Sequence, residues 1–245
     1  MEYYTVNREG TASLFRALVA AGGSPPRVIH LSSLAAAGPS TSPDGVRESD
    51  SPRPVTPYGQ SKLQAEEVAL EYKHSFPVVI VRASAIYGPG DMDFLDFFRW
   101  IKRGILPAVR EKKLVSLCYV KDLVEALDLC GERDLASGEI LNIADPRPYS
   151  WDELGEAAGR ALGKKPKRIQ MPMAFFYLAA ALSELSSRVR RKPGIFSRDK
   201  FIDLQQPGWV ANVDKARQLL SFVPRFSLEM GLRETMDWYR EKNLL

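Results

Sequence analysis

The stretch "PVVIVRAS" (Pro77–Ser84) decides the fold class of this sequence. It is a short, continuous run of β-branched residues, which is typical of a strand in a parallel sheet that is covered on both faces. A helical pattern precedes it from Pro57 to about His74, and proline tolerates the first turn of a helix but not its interior. The sequence therefore predicts a buried strand that follows its own crossover helix.

The same alternation of strands and helices runs from the N-terminus to about Ala144. Two irregular stretches interrupt it, the pair Gly22-Gly23 and a loop rich in proline and serine over Pro39–Pro57. The other predicted elements are a helix over Val6–Ala21, a strand over Arg27–Ser33 suited to a buried position, a helix over Asp93–Gly104, a strand over Lys113–Val120, a helix over Asp122–Cys130 and a strand over Glu139–Ala144. Alternation of this kind predicts an α/β fold with a doubly wound parallel sheet and right-handed crossovers.

From Pro146 onward the pattern is mostly helical. Ser150 is followed three residues later by Glu153, which is a capping-box pattern at a helix start. Further helices are predicted over Met173–Leu185 and Ser227–Lys242.

This change of pattern predicts two parts of unequal size. We expect residues 1–145 to form a partial doubly wound domain and residues 146–245 to form a smaller, mostly helical lobe. Segments such as 88–115 are expected to interleave with that lobe.

Composition and charge exclude several classes of function. The formal charge of +4 comes from 34 cationic and 30 anionic residues that are well mixed, and the densest cationic run, Gly163–Arg168, has no interleaved aromatic residues, so nucleic-acid binding is not expected. Two cysteines and two histidines without ligand spacing predict no metal site. The N-terminus lacks a leader pattern and the longest apolar run, Met171–Leu182, is too short to cross a bilayer, so we expect no transmembrane segment and a cytoplasmic location.

Tyr58 and Lys62 stand one helical turn apart in "TPYGQSKLQAE" (Thr56–Glu66), so their side chains share a helix face. A tyrosine ionises near pH 10, and lowering its pKa to about 7 requires roughly 4 kcal/mol of preferential phenolate stabilisation. A solvent-screened lysine supplies about 1 kcal/mol. An acid/base role therefore needs a dry pocket and a second positive charge, and the spacing alone is weak evidence.

Ser33 ends the predicted strand "RVIHLSS", at the carboxyl edge where open α/β sheets bind ligands. A hydroxyl there is placed to hydrogen-bond the oxygen whose proton Tyr58 handles. The alternative is that Ser32 and Ser33 only end the strand by bonding backbone groups. Both interpretations stay open on these residues alone.

Seven motifs extend the pattern over nearly the whole chain, in the order "NREGT", "VIHLSSLAAAGP", "TPYGQSK", "VRASAIYGPGD", "YVKDLVEAL", "LNIADPRPYSWDEL" and "DKARQLLSFVPRFSLEMGLRETMDWYR". In this order they resemble the extended short-chain dehydrogenases, a superfamily that includes NAD-dependent epimerases and dehydratases and 3β-hydroxysteroid dehydrogenase/isomerase-like proteins. The resemblance implies a Rossmann-like fold, NAD or NADP as cofactor, and hydride transfer at a secondary alcohol or ketone of a small-molecule substrate.

The resemblance also implies roles for individual residues. Tyr58 resembles the acid/base of the family. Lys62 resembles the residue that holds the nicotinamide ribose and lowers the tyrosine pKa. Ser33 resembles the donor to the substrate oxygen, with Ser32 as the alternative.

Other positions follow from the same resemblance. Ala83, Ser84 and Ala85 fall where the backbone contacts the nicotinamide end of the cofactor. Asn7 resembles the asparagine that opens the preceding helix, and Asp122 is expected to be a helix N-cap rather than a catalyst.

Two clues to the substrate disagree. "IYGPGD" (Ile86–Asp91) is shared with enzymes of nucleotide sugars, whose diphosphate needs cations such as Arg110, Arg147 or Arg198. The apolar run Met171–Leu182 favours instead a sterol- or lipid-like substrate, or contact with a membrane surface. A solvated arginine and an ordinary buried helix are the alternatives to these two interpretations.

Three residues depart from the family pattern. Ala83 stands where proline is common, Lys121 where an acidic residue is frequent, and Ser221 where glycine is usual. These departures weaken the substrate assignment more than the fold.

The 17 glycines contain neither G-x-G-x-x-G nor G-x-x-G-x-x-G, the patterns that cradle a dinucleotide pyrophosphate. Gly155, Gly159 and Gly163 are spaced by four and suit close helix packing instead. By comparison with the family, the chain starts just before the fifth strand. We therefore expect an open sheet edge and weak or absent NAD(H) binding by this chain alone.

Three explanations of this start compete: an upstream start that the sequence omits, a split gene whose other half supplies the glycine-rich turn, and an independent short protein. They give a second functional hypothesis. The chain would then be a non-catalytic remnant or interaction module whose open sheet edge binds a partner, either a second copy or a complementing N-terminal half.

Overall fold

The computed structural model describes residues 2–24, 26–108, 111–174, 177 and 198–245. A π-helical turn, Tyr4–Glu9, leads into the first α-helix. The α-helices are α1 (Gly10–Ala21), α2 (Leu34–Ala37), α3 (Pro57–Glu71), α4 (Leu95–Lys102), α5 (Val120–Glu132), α6 (Trp151–Leu162), α7 (Arg198–Gln205), α8 (Asp214–Leu220) and α9 (Leu228–Glu241). The strands are β1 (Val28–Ser33), β2 (Val78–Ala83), β3 (Ala85–Tyr87), β4 (Ile105–Ala108), β5 (Leu114–Val115), β6 (Leu117–Tyr119), β7 (Glu139–Ile143), β8 (Tyr149–Ser150), β9 (Lys167–Gln170) and β10 (Gly208–Trp209).

The central sheet has the strand order β1-β2-β7, and both pairings are parallel. Every residue of β2 is buried, as its continuous apolar run predicts. Successive residues of a strand face opposite sides of the sheet, and Val78 packs with Phe15 of α1 while Val79 packs with Leu123 of α5. Helices therefore cover both faces, and the predicted Rossmann-like α/β fold is confirmed.

Strand β1 is less buried than the sequence predicts. Among the described strands it pairs only with β2, most of its residues are half-buried, and Leu31 is 39% exposed. The expectation of a buried strand over Arg27–Ser33 is therefore wrong. The exposed Leu31 fits an edge position, where one side of the strand has no neighbouring strand among those described.

The segment Lys113–Val120 forms two short strands instead of the single strand predicted. β5 pairs with β8 and β10, whereas β6 pairs with β3. Ser116 lies between them, where its N–H donates to the carbonyl of Trp209 (2.7 Å) and its carbonyl accepts the N–H of Ala85 (3.3 Å). The chain thus changes sheets at Ser116, which a hydrophobic pattern alone does not reveal.

Asp122 is not a helix N-cap, contrary to the expectation. Helix α5 begins at Val120 after Tyr119, so Asp122 lies inside the first turn. Its buried carboxylate accepts the backbone N–H groups of Arg225 (2.8 Å) and Phe226 (3.3 Å). The residue therefore ties the segment before α9 to the start of α5.

The glycines of α6 have the packing role that their spacing predicts. A Cβ atom at Gly155 would lie 2.3 Å from the side chain of Leu106, and one at Gly159 would lie 2.6 Å from Pro166. Gly163 differs, since it ends α6 in the left-handed conformation with φ of 67°.

The other helices predicted after Pro146 are found where the chain is described. α6 starts at the Ser150–Glu153 capping box, and α9 lies within the range predicted for the last helix. The predicted helix Met173–Leu185 and the apolar run Met171–Leu182 lie largely outside the described residues. In the described part of the chain, no helix has the length and apolar character needed to span a bilayer.

Ser221 ends α8 in the left-handed conformation, with φ of 54°. Glycine adopts this conformation without the steric penalty of a Cβ atom, which explains why glycine is usual at this position of the family. Ser221→Gly should therefore raise the free energy of unfolding by about 0.5–1 kcal/mol in chemical denaturation. Ser221→Ala is the control and should give no such gain; a loss of stability in the glycine variant would contradict the explanation.

Candidate active site

The candidate active site lies at the carboxyl edge of the central sheet. Ser33 ends β1 and Ala83 ends β2, and the two residues are direct partners in the parallel register. Open α/β sheets bind ligands beyond the carboxyl ends of their strands. The structure therefore brings Ser33 beside the predicted cofactor segment.

Helix α3 begins at the same edge. Its N-cap is Thr56, whose hydroxyl oxygen accepts the N–H of Gly59 at 3.1 Å. A Cβ atom at Gly59 would lie 2.4 Å from the carbonyl oxygen of Ala35, so the glycine permits a close approach to α2. The cap and the glycine together place Tyr58, in the first turn of α3, against the end of β1.

The Ser33 hydroxyl lies close enough to the Tyr58 hydroxyl to lower the pKa of the phenol. Ser33 is also the N-cap of α2, where its oxygen accepts the N–H of Ala35 at 3.2 Å. Because that bond uses a lone pair of the Ser33 oxygen, the Ser33 hydroxyl hydrogen is left to donate to the phenol. The two interpretations of Ser33 are therefore compatible: it caps a helix and also contacts Tyr58.

The groups around Tyr58 favour its neutral form. Burial raises the pKa of Tyr58 above its ordinary value, the nearby Ser33 hydroxyl opposes this shift, and the carboxylates of Asp93 and Asp203 add to it. A phenolate is disfavoured by dry and negative surroundings and favoured by donors. Tyr58 is therefore suited to donate a proton at neutral pH, and it needs a nearby positive charge to act as a base.

Lys62 is anchored to the backbone of β1. Its ammonium donates to the carbonyl oxygen of Leu31 at 3.2 Å. Burial lowers the pKa of Lys62, and the carboxylate of Glu66 one turn further along α3 opposes that shift. The group that lowers the Tyr58 pKa in this arrangement is Ser33, whereas the resemblance implies Lys62.

The segment after β2 has fewer free backbone donors than expected. The N–H of Ser84 donates to Ile143 (3.0 Å) and the N–H of Ala85 donates to Ser116 (3.3 Å). The hydroxyl oxygen of Ser84 is buried and has no hydrogen-bond partner among the described residues. These two N–H groups are therefore not free to bind a polar ligand group at this edge.

Several residues beside Tyr58 were missed by the sequence analysis. The Tyr3 ring lies 5.5 Å from the Tyr58 ring, centroid to centroid, in an edge-on contact. The carboxylate of Asp199, in α7, lies near the backbone N–H of Tyr58, and Lys200 forms an ion pair with Asp93 (2.8 Å). These residues come from distant parts of the chain and form no local pattern with Tyr58, so sequence spacing gave no signal for them.

Of the three predicted substrate cations, only Arg147 has a side chain that the structure describes. Arg147 is exposed, pairs with Glu153 (3.1 Å) and lies 4.3 Å from the centre of the Tyr149 ring. Arg110 lies outside the described residues, and so does the side chain of Arg198. Within the described ranges, no group of three or more His, Cys, Asp or Glu residues could hold a metal ion.

Asn7 connects two helical segments. It lies within the π-helical turn Tyr4–Glu9, and its side-chain amide donates to the hydroxyl of Ser61 at 2.8 Å. The Ser61 hydroxyl in turn donates to the carbonyl of Tyr58 at 2.8 Å. Asn7 thus stabilises the first turn of α3 from inside a helical segment, and does not open one.

The sequence model of the NAD dependent epimerase/dehydratase family matches residues 1–144. The chain belongs to this family. Among its relatives is the ceramide reductase of Caulobacter vibrioides (strain NA1000 / CB15N), which is 30% identical over 238 residues that make up 96% of this chain and 68% of the reductase. The UDP-glucose 4-epimerase of Vibrio cholerae is 27% identical over 248 residues, 98% of this chain and 71% of the epimerase.

A solved structure of the family agrees with this assignment. MoeE5 in complex with UDP-glucuronic acid and NAD is 26% identical and superposes with a TM-score of 0.71, over 96% of this chain and 71% of MoeE5. The epimerase/dehydratase chain therefore matches most, but not all, of the length of each of these proteins.

Asp145 follows β7 at the same edge of the epimerase/dehydratase sheet. Its carboxylate is buried, and neither oxygen has a well-formed hydrogen bond to a described residue. Burial raises the pKa of Asp145 to about 7, against the opposing effects of the nearby Tyr149 hydroxyl and of Arg147. Ionisation of Asp145 is therefore costly in the folded protein.

The pH dependence of stability tests this burial. The folded pKa lies above the unfolded value of about 3.9, so the stability that Asp145 provides in its protonated form is lost as pH rises through 7. Asp145→Asn should therefore gain roughly 2–3 kcal/mol relative to the parent chain between pH 5 and pH 8 in urea denaturation. Asp128→Asn, at an exposed position on α5, is the control. An Asp145→Asn difference that is constant with pH would show that the carboxylate is already ionised.

Proposed function

We propose that this chain carries the acid–base centre of an NAD(P)-dependent oxidoreductase or epimerase that acts on a secondary alcohol or ketone. The supporting observation is that the hydroxyl groups of Tyr58 and Ser33 lie near each other at the carboxyl edge of a parallel sheet, with Lys62 one turn along the same helix. In this proposal residues 1–145 form the cofactor side, and residues 146–245, with parts of 88–115, form the substrate lobe.

The proposed chemistry is proton transfer at the substrate oxygen. Ser33 donates a hydrogen bond to that oxygen, and Tyr58 gives it a proton or removes one. Because the surroundings raise the Tyr58 pKa, proton donation to a carbonyl that is being reduced is the favoured direction. Lys62 lies one turn further along the same helix face, with its ammonium on the Leu31 carbonyl of β1.

The residues present fit the nicotinamide end of an NAD(P) cofactor. Tyr58 and Lys62 lie at the edge where that end would be held, with Ala83, Ser84 and Ala85 at the end of β2 beside them. When bound, the nicotinamide supplies hydride transfer to or from the substrate carbon. The pyrophosphate end has no glycine-rich turn in these 245 residues, so we propose that a segment outside them supplies that turn.

Two substrate classes fit the proposal. A ceramide reductase and a UDP-glucose 4-epimerase are both relatives, and their names refer to a lipid and to a nucleotide sugar as substrates. The apolar run Met171–Leu182 supports a sterol- or lipid-like substrate, and Arg110 and Arg198 support a diphosphate. The fold at the Tyr58 centre serves either class, because the reacting group in both is a secondary alcohol or ketone.

A second candidate function is recruitment of a partner chain through β1. Strand β1 is an edge within the described sheet, and Leu31 is exposed there. Exposed edge strands pair readily with other chains. On this hypothesis the chain is an interaction module, and its Tyr58 centre is a remnant of a catalytic ancestor.

Binding of NADH separates the two hypotheses. The 245-residue polypeptide alone should bind NADH weakly or not at all in calorimetry, because nothing in it cradles the pyrophosphate. Co-expression with a strand–turn–helix segment that carries the glycine-rich turn should restore binding. A submicromolar Kd for the polypeptide alone would contradict the first expectation. Light scattering that shows a stable oligomer, with no gain of binding on complementation, would favour the interaction module.

Tyr58→Phe tests the acid–base role. In a form that includes the glycine-rich segment, this change should lower kcat by about 10²–10⁴-fold for a ceramide-type ketone or a UDP-sugar, because it removes the transferred proton. Tyr72→Phe, at the other end of α3 where the ring stacks on Phe15, is the matched control and should keep full turnover. Retained turnover in Tyr58→Phe would remove Tyr58 from the mechanism.

A further inference from the structure

Behind Tyr58, helix α3 is joined to two strands by a buried polar network. Glu66 and Arg82 are each 1% exposed. The Arg82 guanidinium donates from Nε to Glu66 Oε1 (2.9 Å) and from Nη2 to Glu66 Oε2 (2.7 Å), and the Ser32 hydroxyl donates to Glu66 Oε1 (2.6 Å). Ser32 and Arg82 are partners in the register of β1 and β2. One carboxylate of α3 is therefore bound by both strands.

A buried ion pair is an expensive way to attach a helix, because desolvation of the two charges cancels much of their attraction. The Nη1 group of Arg82 also has no hydrogen-bond partner among the described residues. An apolar pair of similar size often gives equal or greater stability. The location of the pair points to a function besides attachment.

Lys62 lies between two acceptors. It stands one turn before Glu66 on the same face of α3, and its ammonium donates to the carbonyl of Leu31 (3.2 Å). The other titratable group beside it is His30 of β1, whose pKa burial lowers to about 4, so this ring is neutral at pH 7. The Glu66 carboxylate thus competes with the Leu31 carbonyl for the Lys62 ammonium. Arg82 donates hydrogen bonds to both oxygens of that carboxylate.

We infer that Glu66 and Arg82 are positioning residues for Lys62: Arg82 neutralises and occupies Glu66, so that the Lys62 ammonium stays on the Leu31 carbonyl. The inference rests on the proposed function, because it assigns the pair to the acid–base centre. Without Arg82, the free carboxylate one turn away attracts the ammonium and draws it from the Leu31 carbonyl. A chain in which both charges are removed has no such competitor.

A double-variant cycle on the full 245-residue chain tests this arrangement, with the Lys62 titration followed by NMR of ¹³C-labelled lysine and assigned with Lys62→Arg. Arg82→Met should raise the pKa of Lys62 by about one unit, because it leaves Glu66 charged and unpaired. Arg82→Lys keeps a cation at the site and should return the titration to within a few tenths of a unit of the parent chain. In the Glu66→Gln background, Arg82→Met should leave the titration unchanged.

The control is Arg99→Met, which breaks the half-exposed Arg99–Asp96 ion pair (2.9 Å) and should not move the Lys62 titration. If Arg82→Met does not fold, the test compares the Lys62 titration in Glu66→Gln with that in the double variant Glu66→Gln/Arg82→Met. The double variant should fold, because it removes both buried charges. A Lys62 titration that is unchanged in Glu66→Gln, or that shifts equally with Arg82→Met in both backgrounds, would overturn the inference. If the pair is purely structural, breaking it should lower the melting temperature and leave the pKa of Lys62 unchanged.

These titrations need neither cofactor nor turnover, so their outcome does not depend on whether the proposed function is correct. If Tyr58→Phe keeps full activity while the cycle behaves as expected, the positioning of Lys62 stands and the catalytic proposal fails. If Tyr58→Phe abolishes turnover while the cycle shows no coupling, Glu66 and Arg82 serve only to attach α3.

Discussion

The in-register parallel pairing of β1 with β2 is the constraint on which the rest of the site depends. It brings Ser33 and Ala83 level at one edge of the sheet. Two parallel strands cannot be joined by a hairpin, so the chain returns through a crossover that contains α3. A crossover helix starts at the carboxyl edge and runs back along the sheet, which is why its first turn, with Tyr58, meets the end of β1.

Helix α3 contacts the sheet through small and polar residues. Gly59, Ser61, Ala65 and Ala69 are buried along it, so its backbone comes close to its neighbours. Small side chains do not interlock with the sheet in one register, so packing alone would let the helix shift along the sheet. Directional hydrogen bonds at Glu66, together with the Thr56 cap, remove that freedom. The position of Tyr58 is thus set by polar contacts at the start of the helix and at Glu66, two turns further along it.

The parts of the fold that could be predicted from sequence are those with a local signal. β2 is a continuous apolar run, α3 starts at a proline after a threonine cap, and Ser33 and Tyr58 lie at the ends of recognisable elements. The exposure of β1 could not be predicted, since it depends on which strands flank it. Asp93, Asp199 and Asp203 come from other segments, and only tertiary structure brings their charges to Tyr58.

Those distant carboxylates change the meaning of the tyrosine–lysine motif. A motif that resembles a lowered-pKa base sits in surroundings that raise the pKa, because burial and two carboxylates outweigh one serine hydroxyl. In such surroundings a single positive charge has a large effect, since the low dielectric that disfavours the phenolate also strengthens its attraction to a cation. An oxidised nicotinamide carries such a charge and a reduced one does not. In the proposed function, the same tyrosine would therefore favour proton removal when the oxidised cofactor is bound and proton donation when the reduced one is.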